Sequence, residues 1–283
     1  MAWRSFRELR ALVAAGYALP PDLTVAEAQR YVDARRARPN VRTGKPVSVE
    51  SVKITIRAMK AYSAWVAEKY QEPDLLDGLH HPHSPRPVGG KIVSRAEYEK
   101  LMRSFGSTIG MAAVRDQAMI AMLWVSGMRR SDLVRLEVGD LMERNTVAVI
   151  RRSKNGQGRL VSLRTKKDDS AVYLDRYLRL RSKHPDADLP NLWLGQRGPL
   201  TGDGFSLVLR ARCKRAGLSI ASHEFRRSLA SRWLEAGLSQ VLLMENCGWS
   251  SSETLRRYVA QDASRLAIEA ARGLSSPTTP RGS

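Results

Sequence analysis

The sequence predicts a mainly helical protein of two domains, with one small β-hairpin in the second domain. Apolar residues recur at helical spacing through most of the 283 residues, and several of these stretches begin at a capping residue. One β run is evident, from Thr146 to Ile150, and a segment rich in proline, glycine and histidine interrupts the helical pattern from His80 to Gly90. A chain of this length can form two cores of ordinary size.

The first segment is predicted to be helical as far as about Leu79. Thr24 and Glu27 form a capping box ahead of one helix, and a long amphipathic helix follows Ser48. Residues 1–80 are therefore predicted to form a helical domain, and the breaker-rich residues 81–92 a linker.

The second domain, residues 93–274, is predicted to begin with helices. Ser94 and Glu97 form a second capping box, and an apolar helix then runs to Gly127, which is expected to end it. Ser131 is expected to cap the next helix. Arg129 thus lies at a tight junction between two buried helices, where a charge requires an anionic partner or ligand.

A β-hairpin and further helices follow in the predicted domain, with Ser250 expected to cap the segment that carries Tyr258. Lys154 to Gly158 is predicted to be a turn and Arg159 to Leu163 the return strand, so Lys154 lies where the turn of the hairpin begins. The spacing alone does not decide between a functional lysine and an ordinary exposed turn lysine. The later helices are predicted at Val172 to Leu180, Asp203 to Ala216 after the cap Thr201, His223 to Ala236, and Ser239 to Cys247. Residues 275–283 are predicted to be a disordered tail.

The formal charge of +19 and the pI near 10.5 predict a polyanionic partner, most often nucleic acid. The predicted phosphate contacts lie in a basic loop, whose alternative interpretation is a solvated turn, and along one face of the helix after Ser48. They are Arg35, Arg36, Arg38, Arg42, Lys45, Lys53, Arg57 and Lys60.

Neither a membrane span nor a secretory leader is predicted, because no apolar run approaches about twenty residues and Met1 to Arg10 is charged throughout. A cytoplasmic protein is expected, with Cys213 and Cys247 as buried thiols. No metal or cofactor is expected. A P-loop motif and a carboxylate cluster suited to Mg²⁺ are absent from the sequence, and the linker histidines lack partners at ligand spacing.

The residues that indicate chemistry are concentrated between His223 and Tyr258. His223 and Arg226 are three residues apart and share a helix face, which suits a phosphate ester because one side chain moves a proton and the other holds anionic oxygens. Tyr258 offers a phenolic oxygen as a nucleophile.

Arg129 in Ser-Gly-Met-Arg-Arg-Ser-Asp-Leu, the Lys154 hairpin, His223-x-x-Arg226, Gly248-Trp249 and Tyr258 occur in one order. This order resembles the tyrosine site-specific recombinases, the phage integrase family, over about Ser94 to Ala260. The short segment before Thr24 points towards an Xer-like or minimal phage recombinase. The resemblance implies a two-domain DNA clamp, in which a helical, SAM-like core-binding domain precedes an α+β catalytic domain.

The resemblance also implies roles for single residues. Tyr258 would attack the scissile phosphate and form a 3′-phosphotyrosyl bond, while Arg129 and Arg226 would hold the non-bridging oxygens. Lys154 would be the general acid and His223 the base. Trp249 stands where many relatives have histidine; its N–H can donate to phosphate but cannot shuttle protons. Arg227 also departs from the usual His or Lys, and is expected to contact the DNA backbone.

The expected partner is double-stranded DNA with inverted-repeat core sites, bound by a homotetramer in the synaptic complex; the free protein could be a monomer. The stripe from Ala263 to Ala271 resembles the C-terminal helix that relatives dock into a neighbour. Two alternatives are a sequence-specific DNA-binding protein without catalysis and a DNA-relaxing enzyme similar to type IB topoisomerases. The residue set argues against the first, and supercoil relaxation without recombinant products would favour the second.

Overall fold

A computed structural model describes residues 24–39, 44–82, 91–106, 110–151, 158–253 and 255 of the chain. It divides into two compact units, residues 1–86 and 87–283. The described part is mainly helical with one three-stranded antiparallel sheet, which confirms the predicted fold class. No described helix is both long and apolar enough to span a bilayer.

The described part of the first unit is built on helices α1 (Val25–Ala37) and α2 (Val49–Tyr70). The predicted capping box of Thr24 and Glu27 is present at the start of α1, and Ser48 caps α2. Apolar residues of both helices form one core together with residues from the turn after α2. They are Ala28, Tyr31, Val32, Val52, Ile56, Met59, Leu76 and Leu79.

The second unit begins with α3 (Arg95–Arg103), α4 (Met111–Ser126) and α5 (Arg130–Arg135). Helix α4 is its centre, because every residue from Ala118 to Val125 is at most 4% exposed. Gly127 ends α4 with a left-handed backbone (φ +59°), as predicted. Ser131 does not cap α5, so that prediction was wrong; the helix begins two residues earlier than predicted, at Arg130, and Arg129 occupies the N-cap position without a side-chain cap.

A 3₁₀ turn at Val138–Asp140 leads into the strands β1 (Leu141–Met142), β2 (Val147–Ile150) and β3 (Arg159–Ser162). The predicted hairpin is confirmed by the antiparallel pairing of Val147 with Ser162 and of Ile150 with Arg159. Strand β1 was not predicted; it has only two residues, too few to show an alternating pattern.

Helices α6 (Ala171–Arg181), α7 (Gly202–Arg215), α8 (Ser222–Glu235) and α9 (Gln240–Cys247) come next, each within two residues of its predicted bounds. Helices α6, α7 and α8 all pack against α4. Helix α9 packs against both α8 and β3, and this arrangement brings residues distant in sequence to the end of α9.

Candidate functional site

The C-terminal end of α9 is the point on which the candidate side chains converge. Gly248 ends the helix with φ +60°, and a Cβ added to it would lie 3.0 Å from the Arg159 guanidinium, so this position requires glycine. The last carbonyl groups of a helix lack partners within the helix, and they form the negative end of its dipole. Arginine side chains are therefore well matched to this end.

Three arginines each donate to one of three successive carbonyl oxygens there. Arg159 Nε donates to Asn246 O at 3.0 Å, and Arg129 Nη2 donates to Gly248 O at 2.9 Å. Between them, Arg226 Nη2 donates to Cys247 O. Strand β3, the α4–α5 junction and helix α8 thus all meet at one turn of the chain.

Arg226 is the most enclosed of the three, with 1% of its surface exposed. Its Nη1 donates at 3.1 Å to Gly127 O, at the C-terminal end of α4, and its guanidinium lies 4.9 Å from the ring centroid of Trp249. Two helix C-termini and one aromatic face thus stabilise this buried cation.

Arg129 is more accessible, with a side chain 24% exposed. Its Nη1 is buried, and no atom in the described part of the chain accepts a hydrogen bond from it. Asp132 Oδ2 forms an ion pair with this nitrogen at 3.9 Å, which is too long for a hydrogen bond. The same oxygen accepts a hydrogen bond from Arg159 Nη2 at 2.8 Å. A buried donor left in this way is suited to an anionic ligand.

His223 lies in the first turn of α8, three residues before Arg226, and the residue is exposed. Desolvation of its imidazole lowers the pKa of His223 below the ordinary 6.5, and the charges of Arg227, Arg226 and Arg129 lower it further. The lowered pKa favours the neutral imidazole, which is the form that can accept a proton.

Trp249 is 7% exposed and packs in a small apolar cluster with Leu229, Leu243 and Leu255. Its ring forms the floor beneath the Arg226 guanidinium. The predicted N–H donation from its indole to phosphate stays a prediction. Arg227 follows Arg226 on α8, and its charge acts on the His223 imidazole.

Two predicted residues, Lys154 and Tyr258, lie outside the described residues. The chain on either side of Lys154 is described at Arg151 and Gly158, and Ile150 pairs with Arg159. Leu255, three residues before Tyr258, is buried in the cluster that contains Trp249.

The first unit carries the other predicted contacts, except Arg42, which is outside the described residues. Arg35 and Arg36 are in the last turn of α1, and Arg38 and Lys45 are exposed beyond it. On α2, Lys53 pairs with Glu50 at 3.1 Å and Lys60 Nζ donates to Asp77 O at 2.7 Å. Arg57, between them in sequence, is exposed. Desolvation lowers the pKa of His81, and the charges of Arg57, Lys60 and Lys53 lower it further.

Two residues of the site were not predicted from the sequence, Arg159 and Asp132. Both are buried, at 7% and 5% exposed. A signal existed for each of them. Strand alternation places Arg159 on the same inward face as Val161, and Asp132 follows Arg129 by three residues.

Comparison with known proteins gives a consistent result. The model of the phage integrase family matches residues 91–265, which is more than half of the chain. One relative, the tyrosine recombinase XerA of Pyrococcus furiosus, is 25% identical over 247 residues, covering 86% of this chain and 78% of the relative.

Two solved structures share the fold. The Tn1549 transposon integrase in complex with transposon right end DNA has a TM-score of 0.68 at 17% identity, covering 94% of this chain and 92% of that one. A lambda integrase tetramer bound to a Holliday junction has a TM-score of 0.62 at 20% identity, covering 88% and 70%. With the family match over residues 91–265, the chain belongs to the phage integrase family: it is a tyrosine site-specific recombinase, an enzyme that transfers DNA strands.

Proposed function

We propose that this recombinase cleaves and rejoins DNA through a covalent bond between Tyr258 and a 3′-phosphate. The observation that carries the proposal is the convergence of Arg129 and Arg226 on the end of α9, with a buried Arg129 donor and with His223, whose pKa the charges of both arginines lower. Two guanidinium groups can bind the non-bridging oxygens, where negative charge grows in the transition state.

The proposed step is balanced within the chain and the DNA. The Tyr258 oxygen forms a bond to phosphorus, and the bond from phosphorus to the 5′-oxygen breaks. His223 accepts the phenolic proton, and Lys154 gives a proton to the departing 5′-oxygen. Because the new phosphodiester keeps the energy of the old one, a 5′-hydroxyl from the other duplex can reverse the step without ATP. The arginines supply positive charge at the phosphate, which agrees with a family that needs no metal.

The lowered pKa of His223 gives a pH prediction. A base must be neutral, so cleavage should fall as the pH drops and the imidazole becomes protonated. At concentrations below Kd, where the rate reports the free protein, this fall should lie below pH 6.5, since the pKa of His223 is lowered. At protein concentrations above Kd, where the DNA is fully bound, it should move to higher pH, because a bound phosphate favours the imidazolium.

Rates of single-turnover cleavage, measured from pH 5 to 8 for the wild type and His223→Gln, would check this. The glutamine variant should be slow and should lack the fall at low pH. An identical acid limb in both proteins would remove His223 from the role of base.

Lys154 gives a second prediction, based on the basicity of the leaving atom. A 5′-bridging phosphorothiolate leaves as a thiolate, which hardly needs a proton. Lys154→Ala should therefore cleave the sulfur substrate nearly as fast as the wild type and fail on normal DNA, whereas Arg226→Gln should gain nothing from sulfur. If Lys154→Ala is equally slow on both substrates, Lys154 only anchors the backbone. Lys166 and Lys167, both exposed, are then the next general-acid candidates.

We further propose that residues 1–80 form the core-binding domain, 81–92 the linker and 93–274 the catalytic domain. The positive charges of α1 and α2, including the exposed Arg57, support phosphate contacts in the first unit. The lambda integrase tetramer on a Holliday junction supports a tetramer in the synaptic complex. Because the proposed substrate of this protein is DNA, we propose that it acts in the cytoplasm.

One plasmid experiment tests the proposed function. The protein's highest-affinity site, selected from random duplex DNA, is placed twice in direct repeat on a supercoiled plasmid. Recombination between the two sites should release the intervening segment as a circle. Relaxed topoisomers without that circle would indicate a topoisomerase-like activity, and unchanged plasmid with a retained gel shift would indicate a DNA-binding protein without catalysis.

A further inference from the structure

Arg159 is a buried cation for which the proposed mechanism has no direct use. It is the first residue of β3, and its side chain is 3% exposed. Nε donates to Asn246 O at 3.0 Å and Nη2 donates to Asp132 Oδ2 at 2.8 Å. A single side chain thus links β3 to both α5 and the end of α9.

Asp132 lies between two guanidinium groups and bonds to one of them. Its Oδ2 is 2.8 Å from Arg159 Nη2 and 3.9 Å from Arg129 Nη1. A carboxylate that is 5% exposed or less needs a cationic partner, and here Arg159 is that partner. As a result Arg129 Nη1 keeps a buried N–H that no described atom accepts.

Among the described residues, Arg129 is the other cation paired with this carboxylate, and it would remain if Arg159 were removed. A small rotation would shorten the 3.9 Å ion pair between Asp132 Oδ2 and Arg129 Nη1 to a buried hydrogen bond. This pair would occupy the nitrogen that the proposed mechanism reserves for phosphate, and a rigid site tolerates little such displacement. The end of α9, where Arg129 holds Gly248 O, would also lose its contact through Asn246.

We infer that Arg159 is a positioning residue for strand cleavage: it holds Asp132 away from Arg129, so that Arg129 Nη1 remains available for the scissile phosphate. This inference rests on the proposed role of Arg129 as a phosphate ligand. Arg159 does not touch the DNA in this account. It acts through Asp132 and through the carbonyl of Asn246.

The test compares Arg159→Gln, the double variant Arg159→Gln with Asp132→Asn, and Arg159→Lys. Cleavage of a nicked suicide substrate carrying the selected site is followed in single turnover at saturating protein. Kd and Tm are measured for each variant. Arg159→Gln should cleave about 10²-fold more slowly, as expected for a displaced group in a rigid site, with Kd within a few-fold of the wild type because many other phosphate contacts hold the DNA.

The double variant should cleave about tenfold faster than Arg159→Gln, because an amide at position 132 cannot form an ion pair with Arg129. Arg159→Lys keeps a cation beside Asp132 and should retain most of the wild-type rate even where Arg159→Gln fails to fold. Wild-type cleavage by a folded Arg159→Gln would overturn the inference. A double variant no faster than the single one, with Arg159→Lys equally slow, would also overturn it and leave Arg159 a purely structural residue.

Arg129→Ala, measured in parallel, separates this inference from the proposed function. If Arg129→Ala cleaves normally, Arg129 is not a phosphate ligand and the proposed function itself is at fault. If Arg129→Ala is inactive while Arg159→Gln is normal, only the role of Arg159 is wrong.

Discussion

Tyr258→Phe is expected to form no covalent adduct with DNA while binding its site as tightly as the wild type. The substitution keeps the ring and removes only the phenolic oxygen, which is the proposed nucleophile. Incubation with a nicked suicide substrate, followed by denaturing electrophoresis, separates the adduct from free DNA, and a gel shift on the same samples reports binding.

A second tyrosine variant serves as the control. Tyr70→Phe removes an oxygen from an exposed residue near the end of α2 and should form the adduct at the wild-type rate. A phosphotyrosyl band that persists in Tyr258→Phe would assign the nucleophile to another residue.

Arg226→Gln is expected to slow cleavage by about 10²- to 10³-fold, comparable to the loss of one oxyanion donor in other enzymes. Binding should change far less, because the arginine acts most strongly on charge that develops in the transition state, whereas many phosphate contacts hold the ground state. Single-turnover rates and Kd values on the selected site would separate the two quantities.

Arg226 also joins Gly127 O to Cys247 O, so a structural loss has to be distinguished from a catalytic one. Arg226→Lys keeps the charge but not the planar fork that reaches both carbonyls. It should be slower than the wild type and faster than Arg226→Gln, at a Tm near that of the glutamine variant. Equal loss of affinity and rate in both variants would make Arg226 a binding residue.

Local signals in the sequence were sufficient for most of the described helix ends. The capping boxes at Thr24 and Ser94 and the left-handed Gly127 are decided by a few neighbouring residues, and the structure contains all three. The prediction that Ser131 caps α5 was wrong because Arg129, with an extended backbone, is the N-cap and the helix begins at Arg130. That arrangement allows the Arg129 side chain to reach Gly248.

The meeting of the arginines at the end of α9 could not be derived from local pattern. Arg129 and Gly248 are 119 residues apart in sequence, and their contact depends on how α9 packs against α8 and β3. The helix junction singled out Arg129, the spacing to His223 singled out Arg226, and the family resemblance gave both a role, but none of these named a protein partner for either residue. Arg159 was missed because an arginine in a short basic hairpin is usually exposed; only packing against α9 shows that its charge is buried.

In the proposed mechanism the DNA becomes attached to Tyr258. The most direct measurement is to trap the adduct on a suicide substrate, digest the DNA and the protein, and locate the added nucleotide by mass spectrometry. Trypsin cuts after Arg257, so the expected carrier is the peptide of residues 258–265, with a 3′-phosphonucleotide on its first residue. A nucleotide on Ser264 of the same peptide, or on any other peptide, would contradict the account.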